Sequence, residues 1–380
     1  MRIAIDYTAA AQRAGIGRYA RELVRALLRA NKDYEIRLVL ARDQPADVGA
    51  PASRLPLTSR QATILWQRLG VPLPVEWLIG GADLFHATDY LLPPLRQARG
   101  VCQIHDLSFL IVPETGDPRL VRYLREALPR SLARATLVLA DSACTREDLL
   151  RCYGLDPERV VVVPAGVSPH FQPVTDPRVL AAARARYGLP EAFLLFVGTL
   201  EPRKNLVRLV EAYGWLRGEA ACTLPLVLAG GPGWQSEALF ARIRELDLEE
   251  SVVLPGFVAE EDLPALLSAA SLFVYPSLYE GFGLPPLEAM ACGAPVVASN
   301  AGSLPEVLGE AALLPDPRDA RGIGEAMARL LSDAALRARL REAGLRRAAG
   351  FTWARAAQRL LAAYDLAAGL PRRQAALSSP

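Results

Sequence analysis

The sequence predicts an α/β fold built from two Rossmann-like domains. Short apolar runs, which are typical of buried parallel strands, alternate with amphipathic segments typical of helices, and this alternation occurs in both halves of the chain. The chain has 380 residues, which suits two domains of ordinary size, and 51% of them are hydrophobic, enough for two packed cores. A proline-rich stretch at residues 168–176 is the expected linker.

The first domain is predicted to span residues 1–170. Its amphipathic segments predict helices at 17–30 and 117–134, although Pro129 interrupts the second pattern. Residues 41–57 are rich in proline and charge and predict a loop. The apolar runs predict strands at 2–6, 36–40, 83–86, 101–105, 135–141 and 160–163.

The second domain is predicted to span residues 171–350. Its apolar runs predict strands at 193–197, 226–229, 252–254, 272–275 and 295–298. From residue 319 to about 368 the pattern is helical, with a last helix predicted at 351–368. We expect the tail, residues 369–380, to be disordered.

The most informative stretch runs from strand 272–275 into a helix that begins at about Pro285. Between them lie Gly281 and Gly283, and two carboxylates flank the turn, Glu280 before it and Glu288 inside the helix. A helix N-terminus after a glycine turn favours anions, because its backbone N–H groups have no partner within the helix. Carboxylates accept hydrogen bonds from vicinal hydroxyls, so the pattern fits sugar and ribose beside a diphosphate. The alternative is a buried helix whose glutamates only cap it or face solvent.

Two adjacent cations follow the first strand of the second domain. Arg203 and Lys204 lie in the strand-to-helix turn that begins at Gly198. Fixed positive charges at such a turn suit a pyrophosphate, whose negative charge grows as it leaves. The alternative interpretation is a pair of ordinary surface cations.

These motifs resemble the retaining glycosyltransferases of family 4. The match consists of Glu280-x7-Glu288 and the residues that follow it to 299, together with Arg203 and Lys204. The resemblance implies the GT-B fold, in which two Rossmann-like domains face one another across a cleft, and a nucleotide-sugar donor. Gly15-Ile16-Gly17-Arg18-Tyr19 is similar to the corresponding loop of a mannosyltransferase-like subgroup, whereas many relatives carry a Gly-Gly pair there. The last helix is expected to return to the first domain.

The resemblance also implies roles for individual residues. Glu280 and the amides of the glycine turn would hold the sugar hydroxyls, Glu288 the ribose, and the loop at 257–258 the edge of the base. His105, at the end of its strand, would donate a hydrogen bond to the transferred sugar or position it. The catalytic set is therefore expected to be His105, Arg203, Lys204 and Glu280. The donor-binding set is expected to be Gly15, Gly17, Gly198, Phe257, Val258, Gly281, Phe282, Gly283, Leu284 and Glu288.

The expected reaction is hexosyl transfer with retention at the anomeric carbon. The resemblance favours GDP-mannose, followed by dTDP-rhamnose or a UDP-hexose, and a glycan or lipid-linked acceptor. The sequence has no D-x-D motif, so we expect no metal ion, and no cofactor other than the nucleotide-sugar substrate. Two alternatives are a GT-B nucleotide-sugar 2-epimerase and a non-catalytic two-domain protein that binds nucleotide sugars or other solutes.

Composition and targeting signals restrict the possible partners. A formal net charge of +2 gives no nucleic-acid footprint. The five cysteines are scattered, without metal-ligand spacing, and are expected to be reduced and buried. Neither a signal peptide nor a membrane-spanning run is found, so a cytoplasmic location is expected. The arginine-rich helix at 117–134 is consistent with peripheral contact with the inner face of a membrane, although a solvated helix face is the alternative.

Two further patterns leave alternatives open. Gly15-x-Gly17-x-x-Ala20 has the form of a dinucleotide-binding motif, but eight residues separate it from the preceding strand, which disfavours an NAD site. For His86, at the end of an earlier strand, the sequence leaves a structural and a functional role equally open. His170, in the linker, is expected to be structural.

Overall fold

The computed structural model describes residues 1–12, 15–45 and 49–369 and divides into two compact units. Unit 1 contains Met1–Leu107, Arg119–Gly166 and the chain from Thr352 onward, and unit 2 contains Ser108–Pro118 and Val167–Phe351. This division differs from the predicted boundary at residue 170 by a few residues, and it groups Ser108–Pro118 with unit 2. Within unit 2, Trp234 Nε1 donates to the Thr115 carbonyl at 2.8 Å. The tail predicted to be disordered lies, from residue 370, outside the described residues.

The strands and helices follow the predicted alternation. The strands are β1 Arg2–Asp6, β2 Glu35–Leu40, β3 Ala52–Arg54, β4 Leu84–Ala87, β5 Arg99–Ile104, β6 Leu137–Ala140, β7 Val160–Val162, β8 Leu194–Val197, β9 Leu226–Ala229, β10 Val252–Gly256, β11 Leu272–Tyr275 and β12 Val296–Ala298. The helices are α1 Ile16–Ala30, α2 Ser59–Ala62, α3 Glu76–Ile79, α4 Ser108–Ile111, α5 Pro118–Arg134, α6 Ala143–Tyr153, α7 Pro177–Arg186, α8 Leu206–Glu219, α9 Glu237–Glu245, α10 Leu263–Ala269, α11 Leu284–Ala291, α12 Leu304–Leu308, α13 Ala320–Ser332, α14 Ala334–Ala349 and α15 Trp353–Ala368.

Each unit is organised around one parallel sheet. Unit 1 has the strand order β3-β2-β1-β4-β5-β6-β7 and unit 2 the order β10-β9-β8-β11-β12. The strand pairs described are all parallel, and the central strands are buried along their length because their residues are almost all apolar. In both sheets the order reverses beside the first strand, at β1/β4 and β8/β11. In open α/β sheets, ligands bind at the carboxyl ends of the strands on either side of such a reversal.

Two local expectations were wrong. The predicted loop at 41–57 contains β3, an edge strand that pairs with β2. The helix predicted at 117–134 is confirmed as α5, which continues through an exposed Pro129. Cys102 and Cys292 are buried thiols, but Cys144 and Cys222 are only half-buried and Cys152 is exposed.

Helix α15 packs within unit 1, where two of its polar side chains make one buried and one part-buried contact. Tyr364 Oη lies 2.8 Å from His86 Nδ1 on β4, and Asp365 accepts a hydrogen bond from the Tyr34 hydroxyl. Gly166 also closely approaches the helix start, because a Cβ on it would lie 2.2 Å from the Trp353 nitrogen. Within the described ranges no helix is both long and apolar enough to cross a bilayer.

Candidate functional site

The predicted catalytic residues of unit 2 lie where β8 and β11 end. These two strands are parallel neighbours, so the loops that follow them emerge side by side, and Leu278 N donates to the Arg203 carbonyl at 2.9 Å. Pro202–Lys204 forms a short 3₁₀ turn after β8 and ends at Asn205, which has φ +60°. The left-handed conformation suits asparagine better than most residues. Asn205 Nδ2 then donates to the carbonyls of Pro276 and Pro317, at 3.0 and 2.7 Å.

These loops form a buried ionic cluster around Glu280. Arg203 Nη1 lies 2.9 Å from Glu280 Oε2, and Lys204 Nζ lies 2.6 Å from Glu280 Oε1. Lys204 Nζ also donates to Tyr275 Oη at 2.7 Å, and Arg203 Nη2 is 2.8 Å from Glu201 Oε1. Glu280, Lys204 and Glu201 are 7–8% exposed. The structure therefore brings together three of the four predicted catalytic residues.

The cluster fixes the charges of its members. Burial raises the pKa of Glu280, but Arg203 and Lys204 outweigh burial and lower it from 4.5 to about 2. Burial, followed by the repulsion of Arg203, lowers the pKa of Lys204, and Glu280 opposes that shift. Burial raises the pKa of Tyr275 well above its ordinary value, so its hydroxyl remains neutral. In the described structure the Glu280 carboxylate is a counter-ion for two cations.

The glycine turn after Glu280 leads directly into α11. The helix begins at Leu284 with two prolines in its first turn, which confirms the helix start predicted near Pro285. Gly283 is the N-cap with φ +102°, and a Cβ there would lie 2.5 Å from Leu304 Cδ2. Gly281 and Phe282 complete the turn, and the Phe282 ring contacts Phe351 with its centroid 5.7 Å away.

A second loop supports this turn from behind. Ser303 Oγ lies 3.0 and 2.8 Å from the carbonyl oxygens of Glu280 and Phe282, either of which can accept its proton, and Ser303 N donates to the Glu280 carbonyl. Gly302, at φ +58°, lies so close that a Cβ would be 2.6 Å from the Glu280 carbonyl oxygen. Gly302 and Ser303 therefore position the backbone of Glu280.

The other predicted donor-binding positions of unit 2 lie on nearby elements. Glu288 is 5% exposed in α11, and burial together with Glu288 raises the pKa of the Cys292 thiol to about 12. Gly198 follows β8, and a Cβ on Gly230 would lie only 1.9 Å from the Gly198 oxygen, so the loops after β8 and β9 are in close contact. At the end of β10, the side chain of Phe257 is 63% exposed, whereas Val258 is buried.

Unit 1 carries His105, Gly15 and Gly17. Gly15 is the N-cap of α1 with φ +58°, and Gly17 is packed so tightly that a Cβ would lie 2.0 Å from the Gln12 oxygen. Local geometry therefore requires both glycines, whether or not they contact a donor. His105 is 8% exposed at the end of β5. Its Nδ1 lies 2.8 Å from Asp141 Oδ2 and its Nε2 lies 3.0 Å from the Thr88 carbonyl oxygen.

The remaining histidines differ in environment. His86 is fully buried on β4, and burial lowers its pKa to about 3, so it is neutral. The His170 side chain is 43% exposed and lies 3.7 Å from Glu260. In the described parts of the chain, no three His, Cys, Asp or Glu side chains converge in a metal-binding arrangement.

Four site residues were not identified from the sequence. Glu201 and Asn205 lie inside the motif that begins at Gly198, but only the two cations of that motif were assigned a role. Tyr275 was regarded as the last residue of an apolar strand, although its hydroxyl accepts from Lys204. Asp141 was regarded as a strand end. A polar residue where a buried strand ends is the signal that identifies Tyr275 and Asp141.

Two units with parallel sheets, and a cation pair beside a glycine turn at a strand reversal, are the features of a GT-B glycosyltransferase. The family described as "Glycosyl transferases group 1" matches residues 182–347, and that described as "Glycosyltransferase Family 4" matches residues 13–171. The chain is 35% identical over 366 residues to O-antigen chain mannosyltransferase B of Escherichia coli, covering 93% of this chain and 96% of that protein. It therefore belongs to the family 4 glycosyltransferases and is a glycosyltransferase.

A further relative agrees with this assignment, and a solved structure agrees with the fold. The serotype-specific mannosyltransferase WbdA of Escherichia coli is 34% identical over 262 residues, which are 68% of this chain but only 32% of that longer protein. The structure of sucrose-phosphate synthase from Thermosynechococcus elongatus superposes with a TM-score of 0.76 at 24% identity, over 97% of this chain and 99% of that one. The predicted GT-B fold class is confirmed.

Proposed function

We propose that this glycosyltransferase is a retaining mannosyltransferase that uses GDP-mannose and acts on a hydroxyl of a glycan or lipid-linked acceptor. The observation that carries the proposal is the cation pair formed by half-buried Arg203 and buried Lys204, held by Glu280 at the ends of β8 and β11. Two fixed cations beside a helix N-terminus are suited to a diphosphate leaving group. The similarity to O-antigen chain mannosyltransferase B supports the choice of a mannosyl donor.

The proposed reaction replaces one bond at the anomeric carbon with another on the same face of the sugar. The bond from the anomeric carbon to the diphosphate oxygen breaks, and the acceptor oxygen bonds to that carbon. A diphosphate oxygen takes the acceptor proton. Arg203 and Lys204 stabilise the negative charge that accumulates on the diphosphate as the bond breaks.

The neighbouring residues would bind the rest of the donor. Glu280 and the amides of the turn 281–284 would hold the sugar hydroxyls, and Glu288 the ribose. The backbone at Phe257 and Val258 would contact the edge of the base. Because the two cations and the helix N-terminus neutralise the diphosphate, the proposal includes neither a metal ion nor a cofactor.

A donor screen followed by single substitutions tests this function. Thermal-shift measurements against GDP-, UDP-, dTDP- and ADP-sugars should show selective stabilisation by GDP-mannose. Arg203→Ala and Lys204→Ala should each lower kcat more than tenfold, since a charge-assisted contact contributes about 1.5–3 kcal/mol. Arg208→Ala, which removes an arginine with a 41% exposed side chain on α8, is the control and should change little.

Several outcomes would contradict the proposal. If the substitutions of Arg203 and Lys204 changed only the KM for the acceptor, these residues would not stabilise the leaving group. An inverted anomeric configuration in the product, read by NMR, would exclude retention. An epimerised donor in the absence of acceptor would indicate a 2-epimerase, and stabilisation by another nucleotide sugar would correct the donor.

We also propose that the protein acts in the cytoplasm and contacts the inner face of a membrane through α5. Arg119, Arg122 and Arg125 are exposed along this helix, and Leu120 on the same helix is 49% exposed. Leu69 is 69% exposed and lies two residues after Gln67. The Gln67 carbonyl accepts a hydrogen bond from Arg130 of α5 at 3.0 Å, which ties this segment to the helix. Arginines beside exposed leucines suit anionic lipid. Co-sedimentation with phosphatidylglycerol vesicles but not phosphatidylcholine vesicles is expected, and equal recovery with both would refute the contact.

A further inference from the structure

The buried pair formed by His105 and Asp141 in unit 1 has a feature that the sequence did not indicate. Both imidazole nitrogens face oxygen atoms: Nδ1 faces the Asp141 carboxylate at 2.8 Å and Nε2 faces the Thr88 carbonyl at 3.0 Å. A carbonyl oxygen can only accept, so Nε2 carries a proton. A carboxylate also accepts, so Nδ1 carries a second proton as long as Asp141 is ionised.

We propose that Asp141 is a positioning residue that keeps His105 as a doubly protonated imidazolium, so that His105 supplies a fixed positive charge and does not transfer protons. The use of this positive charge rests on the glycosyl-transfer function proposed above, because a nucleoside diphosphate donor is anionic. It changes the role expected from the sequence. Both N–H groups are already donated within unit 1, so neither is available to a sugar hydroxyl without breaking one of these contacts.

The surroundings of Asp141 favour the charged pair over a neutral one. In water an imidazole is the stronger base, with a pKa near 6.5 against about 3.9 for an aspartate, so a shared proton resides on the ring. Gln103 Nε2 donates to the other carboxylate oxygen, Asp141 Oδ1, at 2.6 Å. Burial raises the pKa of Asp141 above its ordinary value, and the charge of His105 and its hydrogen bond limit that rise.

The other groups that face His105 also favour its charge. Burial alone lowers the pKa of His105, but Asp141, Asp89 and the Thr88 carbonyl outweigh burial and raise it from 6.5 to about 9. His86, the nearby histidine, is neutral because burial lowers its pKa to about 3. An exception is Asp106, beside His105 in sequence, whose charge raises the pKa of Asp141 and so works against the ionised carboxylate.

Two tyrosine rings enclose the imidazole. Tyr19 of α1 and Tyr90 make T-shaped contacts with it, at centroid distances of 4.9 and 5.8 Å. Burial raises the pKa of both phenols well above the ordinary value, so they stay neutral and supply no competing charge. The ring is thereby fixed in orientation as well as in protonation.

Histidine NMR tests the proposal on the intact protein. The chain has three histidines, so the side-chain ¹⁵N spectrum contains few signals; His170→Gln and His105→Gln identify theirs by loss. In the wild type the His105 signals should be those of an imidazolium at pH 7.5 and should titrate near pH 9. In Asp141→Asn they should titrate below about 6.5, because burial remains while the carboxylate is gone. A neutral His105 in the wild type at pH 7.5 overturns the proposal and requires no variant.

The pH profile of transfer separates this role from a purely structural one. Between pH 6 and pH 8 the wild-type kcat should show no loss attributable to His105. In Asp141→Asn it should fall roughly 20-fold or more, as a group with a pKa at or below about 6.5 loses its proton. Asp148→Asn, which removes a 7% exposed carboxylate paired with Arg151 in the same unit, is the matched control and should keep the wild-type profile.

The two measurements also distinguish this proposal from the function on which it rests. An Asp141→Asn profile that parallels the wild type at a uniformly lower rate would refute the positioning role. Absence of transfer from any nucleotide sugar would refute the proposed function, while the NMR titration would still decide the charge of His105.

Discussion

Replacing Glu280 with glutamine should destabilise unit 2 by about 3 kcal/mol at pH 7. The folded protein holds the pKa of Glu280 at about 2, against 4.5 in the absence of the fold. At about 1.4 kcal/mol for each pKa unit, this difference corresponds to about 3 kcal/mol of stabilisation. Glu280 is 7% exposed, so solvent screening reduces the figure little. The amide leaves Lys204 and Arg203 side by side without their shared carboxylate.

The sign of the effect fixes its pH dependence. Because folding lowers the pKa of Glu280, its stabilisation is complete above pH 4.5 and is lost as the pH falls through about 2. The wild type and Glu280→Gln should therefore differ most at pH 7 and begin to converge below about pH 5. Urea unfolding at pH 7, 5 and 4, with hydrogen exchange used to follow peptides of unit 2, measures this difference.

A control and a cycle make the test specific. Glu325→Gln removes a carboxylate of 54% side-chain exposure from a pair with Arg321, and should cost less than about 1 kcal/mol. Lys204→Met alone should lower the free energy of unfolding by about 3–5 kcal/mol, since it breaks the buried pair of Lys204 with Glu280. The double variant Glu280→Gln, Lys204→Met should lose less stability than the sum of the two single changes. Equal stability of Glu280→Gln and Glu325→Gln, or a difference that is constant with pH, would refute the reasoning.

Substitutions at three further positions probe the supports of the cluster and the predicted ribose contact. Gly302→Ala should destabilise unit 2 by more than the roughly 1–2 kcal/mol that a left-handed backbone costs, because the new Cβ would meet the Glu280 backbone. Gly188→Ala is the control in urea unfolding, since Gly188 has φ +64° and its Cβ would meet nothing within 4 Å. Asn205→Gly keeps the left-handed turn but loses two hydrogen bonds, so it should lower the free energy of unfolding by about 1–3 kcal/mol. Asn205→Ala should lower it by about 1 kcal/mol more, because alanine disfavours the left-handed turn, and equal losses would contradict this role of the turn. Glu288→Gln should raise donor KM in initial-rate assays, and an unchanged KM would remove the ribose role.

The sequence predicted most of the fold because its strands are continuous apolar runs. Leu272–Tyr275 and Leu226–Ala229 are buried on both faces, and such runs are recognisable without their neighbours. Strand β3 was missed for the opposite reason. Its residues Ala-Ser-Arg have no apolar periodicity, and backbone pairing with β2 holds it at the sheet edge.

The charged residues at the centre of the site could be predicted from the sequence, but their contacts and the supporting residues around them could not. Arg203, Lys204 and Glu280 were each placed at a strand end by local pattern. Their convergence depends on β8 lying beside β11, a pairing of strands far apart in sequence. Likewise, the position of His105 was evident, whereas its contacts with Asp141 and Thr88 depend on the packing of β5 between β4 and β6.

The identity of the cation at position 204 has a physical explanation in this chain. Of 43 basic residues only Lys32 and Lys204 are lysines, so arginine is the usual cation of this sequence. An ammonium is compact and has three donors, and two of those of Lys204 are directed to Tyr275 and Glu280. We propose that the third N–H of Lys204 donates to the diphosphate.

The same geometry explains how the cluster is held together by its own charges and, under the proposed function, how it would bind a diphosphate. Glu280 neutralises part of the charge of Arg203 and Lys204, so a buried ammonium and a half-buried guanidinium can be held next to each other. A diphosphate with two or more negative charges would compete with one carboxylate for the same donors and would provide more hydrogen-bond acceptors. In that exchange Glu280 would release Arg203 and Lys204, and its carboxylate would then accept hydrogen bonds from sugar hydroxyls. Its role as counter-ion before donor binding is therefore compatible with its proposed role in donor binding.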